Sequence, residues 1–199
     1  MNLPNWITLS RLIFGPVFIL LYTEGQSLGL SPLVLTSLLT VVFTITFLTD
    51  LLDGYLARKY DVVTDFGKLV DPMTDSLVTI SVLMTFTLEP ISLPIPLVFI
   101  FIYRDMVVTT IRSLCALGGK AIAAGFTAKF KASMQNIVCY LLLALLFCHQ
   151  LQWLAESNVQ LIAKIAVSIV ACFSLYSGFE YIFANWKQIL PTTVGRNQN

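Results

Sequence analysis

Four aspartates on two consecutive apolar segments are the residues best suited to chemistry. Asp50 and Asp53 are three positions apart, and Asp71 and Asp75 are four apart, so each pair lies on one face of a helix. The short connection between the segments makes their helices antiparallel neighbours, and the two pairs can therefore face each other. Four clustered carboxylates stay ionised together only if cations neutralise them. Hard oxygen ligands of this kind suit Mg²⁺, Mn²⁺ or Ca²⁺, and two such ions could bridge a pyrophosphate.

A structural explanation of the same aspartates is that they cap helices or pair with nearby cations. Arg58, Lys59 and Lys68 lie close to them in the chain. One aspartate would be well explained in this way. Four on matching faces of apolar segments favour a functional site instead, because a carboxylate inside a membrane is costly.

The spacing of residues 50–75 is more specific than the aspartates alone. It reads Asp-x2-Asp-Gly-x2-Ala-Arg-x8-Gly-x3-Asp-x3-Asp. This string resembles, at every fixed position, the signature of the CDP-alcohol phosphotransferase family. The resemblance extends along most of the chain through weaker motifs, and their order and spacing resemble the branch that uses glycerol 3-phosphate. These motifs are Asn2–Arg11, Gly67–Pro72, Arg104–Asp105 with Ile111–Arg112, Lys129–Lys131 with Gln135, and Tyr176–Gly178 with Tyr181.

The resemblance implies a reaction and a role for each carboxylate. The phosphatidyl group of CDP-diacylglycerol is expected to pass to the hydroxyl of glycerol 3-phosphate, in phospholipid synthesis. Asp50, Asp53, Asp71 and Asp75 are expected to hold two divalent ions, Mg²⁺ or Mn²⁺. Asp75 is also expected to be the base that takes the proton of the acceptor hydroxyl before attack on the β-phosphorus.

The resemblance also implies a binding site for the donor, CDP-diacylglycerol. Small residues of the signature would let a base and a pyrophosphate approach the backbone, although close helix packing explains them as well. Arg58 would meet a phosphate or, alternatively, anchor the helix at the membrane surface. Asn5, Thr8 and Arg11 lie near the start of the first apolar segment, and an ordinary helix start explains them equally well. The expected donor contacts are Asn5, Thr8, Arg11, Asp53, Gly54, Ala57, Arg58 and Gly67.

An acceptor that carries a phosphate requires cations of its own. Arg112, Lys129 and Lys131 are expected to form that pocket. Lys131 and Gln135 share a helical face, whereas Lys129 and Lys131 do not. The general excess of positive charge at the cytoplasmic side explains these cations about as well.

The elements that position these residues are transmembrane helices. Hydrophobic residues make up 57% of the chain, charged residues 12%, and the mean hydropathy is +0.82, whereas soluble domains carry about 25% charged residues. We predict an all-α integral membrane protein with one domain, residues 1–199. Six segments are long enough to cross a bilayer, at roughly 5–23, 32–57, 66–88, 92–117, 130–150 and 158–186.

The basic residues predict the orientation of the helices. The first, third and fifth connections lack Lys and Arg, while the second and fourth contain or border Arg58, Lys59, Lys120, Lys129 and Lys131. The positive-inside rule therefore places both termini and the active site at the cytoplasmic face of the cell membrane.

Several residue types carry less information. The four cysteines lack metal-binding spacing and are interpreted as small buried residues, and His149 is interpreted as a loop residue. The net charge of +1 argues against a nucleic-acid partner. The resemblance suggests a homodimer.

Three other functions remain as alternatives. Inositol 1-phosphate or another alcohol could replace glycerol 3-phosphate in the same chemistry, and serine would not explain the added cations. A metal-ion transporter would need acids along a path through the bilayer and often inverted repeats. A membrane scaffold without activity would not need the whole signature.

Overall fold

The computed structural model describes the backbone at residues 3–59, 65–117 and 126–193, and side chains at 10–50, 52, 73–115 and 127–186. Within these ranges the protein is all-helical, which confirms the predicted class. The six helices are α1 (Leu3–Glu24), α2 (Pro32–Lys59), α3 (Asp65–Thr85), α4 (Ile95–Leu117), α5 (Phe126–Gln150) and α6 (Glu156–Thr193).

The six predicted segments coincide with these helices in order, but two interpretations need correction. α3 ends at Thr85 rather than near 88, because Thr87 N–H bonds back only three residues, to Met84 O at 3.1 Å. His149 belongs to the last turn of α5 and not to a loop. The helical pattern continues past it, since Leu151 N–H still donates to Phe147 O at 3.0 Å.

Local signals define the start of α2. Gly29 has φ 80°, a left-handed conformation that glycine adopts without steric cost. Ser31 then caps the helix, because its hydroxyl accepts from Val34 N–H at 3.5 Å and its carbonyl from Leu35 N–H at 2.9 Å. Pro32 occupies the first helical position, where its missing N–H costs nothing. The turn therefore sends the chain back alongside α1.

Three helices contain stretches long and apolar enough to cross a membrane, judged over the described residues. These stretches are Pro32–Asp50, Thr127–Gln150 and Glu156–Trp186. Many large apolar side chains point outward, including Ile13, Ile137 and Phe183, each more than 60% exposed. An apolar exterior of this extent suits contact with lipid rather than water.

Helix packing brings the polar residues together at one end of the bundle. α1 packs against α2 and α3, α6 packs against α4 and α5, and α3 also contacts α4 and α5. The core between them is apolar and fully buried at Phe18, Leu39, Phe86 and Leu142. Beyond this core, each of α1 to α5 contributes a charged residue to a polar cluster, namely Arg11, Asp50, Asp75, Asp105 and Lys131.

The cysteine interpretation is correct in part. All four thiols are free. Cys115 and Cys139 are buried as expected and Cys148 is partly buried, but Cys172 is exposed on the apolar surface of α6.

Candidate active site

Two of the four signature carboxylates meet at one guanidinium group. Arg11 on α1 donates from Nη1 to Asp50 Oδ1 of α2 at 2.6 Å and to Asp75 Oδ1 of α3 at 2.5 Å. Because one nitrogen lies at these distances from both oxygens, the two oxygens are within about 5 Å of each other. The two helices that carry the carboxylates therefore bring Asp50 and Asp75 close together, as predicted.

Arg11 is the buried member of the cluster. Its side chain is 1% exposed, whereas those of Asp50 and Asp75 are 40% and 48% exposed. We expected Arg11 to contact the donor substrate, and the structure instead directs its Nη1 at the carboxylates. Its positive charge lies against both carboxylates, so Arg11 orients the two side chains.

Asp50 and Asp75 supply the ligand chemistry that a divalent cation requires. Carboxylate oxygens suit Mg²⁺ or Mn²⁺, and both residues line one cavity, although the point on which their bonded oxygens converge is Arg11 Nη1. Among the described side chains, no group of three His, Cys, Asp or Glu could hold a metal ion. Asp53 and Asp71, which we predict to complete the set, have side chains outside the described ones.

A second buried ionic group lies next to the first, and Lys131 is the only one of its members that was assigned a role from the sequence. Asp105 on α4 accepts from Lys131 Nζ on α5, at 2.7 Å to Oδ1 and 2.9 Å to Oδ2. It also accepts from Arg104 Nη1 at 3.0 Å and from Ser76 Oγ at 3.1 Å. Arg104 Nη2 donates onward to Ser177 Oγ of α6 at 2.9 Å. The network joins four helices.

This network could have been suspected from the sequence. Arg104 and Asp105 interrupt an apolar helix, and ionisable residues inside membrane segments are usually paired and functional. The pairing itself was not predictable from spacing, since Asp105 and Lys131 are 26 residues apart on different helices.

Two cavities flank the carboxylates. We call the first, of about 120 Å³, the inner cavity. It is lined by Phe43, Thr46, Phe47, Asp50, Asp75, Ser76, Val78, Thr79, Asp105, Lys131, Ala132, Gln135 and Asn136. The second, of about 260 Å³, is the basic cavity. It is lined by Asp75, Ser76, Arg104, Asp105, Val108, Thr109, Arg112, Ala128, Lys129, Lys131 and Ala132. Asp75 lines both.

All three predicted acceptor cations line the basic cavity. Lys129 is exposed there, while Lys131 is 4% exposed and bonded to Asp105. Both lysines reach the cavity although they do not share a helical face. Arg112 places Cζ 5.9 Å from the centre of the Tyr181 ring, a cation–π distance. Its buried Nε has no hydrogen-bond partner among the described residues.

Comparison with known proteins identifies the family of this chain. The sequence model for CDP-alcohol phosphatidyltransferases matches residues 1–177. The chain belongs to that family. The match contains the whole signature and every residue that we predict to be in the site.

Three relatives of similar length carry the name CDP-diacylglycerol–glycerol-3-phosphate 3-phosphatidyltransferase. The Bacillus subtilis protein is 32% identical over 197 residues, which cover 94% of this chain and 97% of that protein. The Rickettsia typhi protein is 30% identical over 187 residues, covering 92% and 96%. The Yersinia enterocolitica protein is 28% identical over 199 residues, covering 96% and 98%.

The remaining family positions lie on described helices, but their side chains do not belong to the described set. Asn5 and Thr8 are on α1, Gly67 and Asp71 on α3, and Asp53, Gly54, Ala57 and Arg58 on α2. The roles predicted for these residues stay predictions.

Proposed function

We propose that this protein transfers the phosphatidyl group of CDP-diacylglycerol to glycerol 3-phosphate and releases phosphatidylglycerophosphate and CMP. The enzyme would act in phospholipid synthesis in the cell membrane. Family membership and nearly full-length relatives with that printed name support the reaction. The observation that carries it is the position of Asp75, which pairs with Arg11 beside Asp50 and also lines the basic cavity.

The carboxylates would hold the metal ions. Asp50, Asp53, Asp71 and Asp75 are the proposed ligands of two divalent cations, Mg²⁺ or Mn²⁺. Bound there, the ions would neutralise the pyrophosphate of the donor. Arg11 would hold Asp50 and Asp75 towards each other.

Asp75 is the proposed general base. It is 48% exposed, and it lies in the wall of the basic cavity where an acceptor would enter. There it would accept the proton of the acceptor hydroxyl as that oxygen attacks the β-phosphorus in line. CMP would leave on the opposite side, with Arg58 beside its phosphate. Positioning and fixed charge supply most of the acceleration in phosphoryl transfer.

The donor and the acceptor would occupy separate regions. The proposed donor-binding residues are Asn5, Thr8, Asp53, Gly54, Ala57, Arg58 and Gly67, while the buried Arg11 would act on the donor only through Asp50 and Asp75. The acceptor phosphate would bind in the basic cavity to Arg112, Lys129 and Lys131. Lys131 is already paired with Asp105. Arg112 and Lys129 would therefore provide most of the electrostatic attraction for the phosphate.

The proposed topology is one domain of six transmembrane helices with both termini and the active site at the cytoplasmic face. A homodimer is the proposed assembly. Single cysteines in a cysteine-free background test the topology. Replacements of Lys59 or Lys120 should be labelled only from the cytoplasm, and those of Gln26 or Glu156 only from outside. The reverse pattern would overturn it.

The test of function is an assay of purified enzyme with CDP-diacylglycerol, Mg²⁺ and a panel of alcohols. CMP release and a new phosphatidyl lipid should appear with glycerol 3-phosphate and disappear in excess chelator. Transfer unchanged by chelation would refute the metal-assisted mechanism. Transfer to inositol 1-phosphate with none to glycerol 3-phosphate would refute the acceptor assignment.

A further inference from the structure

Gln135 is a buried polar side chain beside the carboxylates, and the mechanism above does not use it. It lies on α5, one helical turn after Lys131, and is 3% exposed. Its side chain lines the inner cavity, as do Asp50 and Asp75. Its Nε2 is buried and has no hydrogen-bond partner among the described residues.

A buried amide without a partner is unfavourable and uncommon, because burial removes its hydrogen bonds to water. The same helix faces many apolar side chains, and an apolar residue at this position would avoid that cost. Because Gln135 lines a cavity, a molecule bound there is able to supply the missing partner.

We propose that the Gln135 carboxamide recognises the hydroxyl of the acceptor that does not react. This inference rests on the proposed function and specifies one contact within it. Glycerol 3-phosphate has three polar groups on its three carbons. Asp75 would receive the reacting hydroxyl, and the basic cavity the phosphate, which leaves the middle hydroxyl.

The chemistry of Gln135 matches a hydroxyl. A carboxamide both donates and accepts hydrogen bonds, as a hydroxyl does, and it carries no charge. Phe43 and Phe47 contribute apolar surface to the same cavity, so a neutral group is better suited there than a second phosphate. Lys131 and Asp75 line both cavities, so the cavities adjoin at these residues and the acceptor would lie across both.

The experiment compares glycerol 3-phosphate with propane-1,3-diol monophosphate, which has the phosphate and a primary hydroxyl but lacks the middle hydroxyl. A site built to bind a hydroxyl discriminates against an analogue that lacks it, and we expect kcat/KM to fall about 10- to 100-fold in the unaltered enzyme. Gln135→Leu should reduce transfer to glycerol 3-phosphate by a similar factor and leave transfer to the analogue unchanged, so discrimination is lost. KM for CDP-diacylglycerol should not move.

Gln26→Leu is the matched control, because it makes the same change at an exposed position at the opposite end of the bundle. It should retain the full discrimination. Gln135→Met provides a second variant of similar size if the leucine variant does not fold.

The possible results separate the two proposals. Discrimination that persists in a folded Gln135 variant would overturn the assignment of Gln135 while leaving the reaction intact. An increase in KM for the donor alone would assign Gln135 to the donor and would overturn it equally. Absence of transfer from the unaltered enzyme to glycerol 3-phosphate would instead refute the proposed function.

Discussion

The two ends of the helix bundle differ in whether their charged side chains are buried and paired. At the charged end, Arg11 is 1% and Lys131 4% exposed, and both are bonded to aspartates. The opposite end, which we call the neutral end because no ion pair joins its described residues, consists of the turns at 25–31, 86–94 and 151–155 with the adjoining helix ends. These three turns contain no Lys or Arg. The acids of the neutral end, Glu24, Glu89 and Glu156, are exposed.

Hydrogen bonds between neutral groups hold the neutral end together. Tyr22 Oη donates to Glu89 O at 2.8 Å, and Thr36 Oγ1 donates to Gln150 Oε1 at 2.8 Å. Gln160 Nε2 donates to Pro90 O at 3.1 Å. Such bonds connect the turns without the desolvation penalty of buried ions.

This difference indicates that the buried ions of the charged end serve function rather than stability. Burying ions costs several kcal/mol each unless their partners are well placed, so stability alone gives little reason to keep them. Substitutions at the charged end should therefore change turnover or substrate binding, and those at the neutral end should change stability alone.

Asp75→Asn tests the comparison with the largest expected effect. The amide cannot accept the hydroxyl proton, and turnover should fall by about 10²- to 10⁴-fold or more, since this is the usual contribution of a general base. Donor binding should be largely retained, whereas Asp50→Asn should weaken metal and donor binding as well. CMP release and donor binding provide the measurements.

Glu24→Gln is the matched carboxylate control from the neutral end. The Glu24 carboxylate accepts a hydrogen bond from Ser27 Oγ at 3.2 Å. Removal of its negative charge should leave turnover unchanged. If Asp75→Asn keeps more than about a tenth of the wild-type turnover, Asp75 does not contribute as a general base usually does.

The second prediction concerns the pair of Asp105 and Lys131. Asp105→Leu leaves Lys131 buried without its carboxylate, and breaking a buried pair in this way costs about 3–5 kcal/mol. Adding Lys131→Met removes the buried lysine charge that has lost its carboxylate, and it should restore part of the lost free energy of unfolding. The restoration is partial because Arg104 keeps Ser177 but still lacks Asp105.

Thermal unfolding in detergent measures these effects alongside turnover. The double variant should remain impaired in transfer to glycerol 3-phosphate despite its recovered stability. Full recovery of both quantities would show that the pair has only a structural role, which would weaken the contrast between the two ends.

The sequence was most informative where chemistry depends on spacing within one helix. Spacing of three and four residues predicted that Asp50 and Asp75 belong to facing pairs, and these two carboxylates do meet. The composition likewise predicted the helical class, because few polar side chains are available to face water.

Contacts between distant helices could not be obtained in that way. Arg11 is 39 residues from Asp50 and 64 from Asp75, and no periodicity relates such positions. The same limit applies to Asp105 and Lys131. Lys131 was assigned to the acceptor phosphate alone because its carboxylate partner was not recognised.

The third prediction tests the basic cavity with cations that do not bind Asp105. Arg112→Ala or Lys129→Ala should raise KM for glycerol 3-phosphate by about 10- to 100-fold, as expected for one charge-assisted hydrogen bond. KM for CDP-diacylglycerol should change much less. Lys131→Ala is unsuitable here, because it would also leave Asp105 buried without that partner.

Lys164→Ala is the matched control for a lost positive charge. Lys164 is exposed on α6 and does not line the basic cavity, so neither constant should change. Equal increases in both constants for Arg112→Ala would mean that Arg112 supports the donor or the fold rather than the acceptor.

The smallest effect is expected at the neutral end, from Tyr22→Phe. The change removes the hydrogen bond to Glu89 O and keeps the edge-to-face contact with Phe86, whose ring centre lies 5.9 Å away. A neutral hydrogen bond contributes about 0.5–1.5 kcal/mol, and the exposed setting favours the lower part of that range. The melting temperature should therefore decrease slightly, with kcat and both KM values unchanged. A clear loss of turnover in a variant that melts normally would contradict the comparison, because it would couple the Tyr22 contact to the chemistry at the charged end.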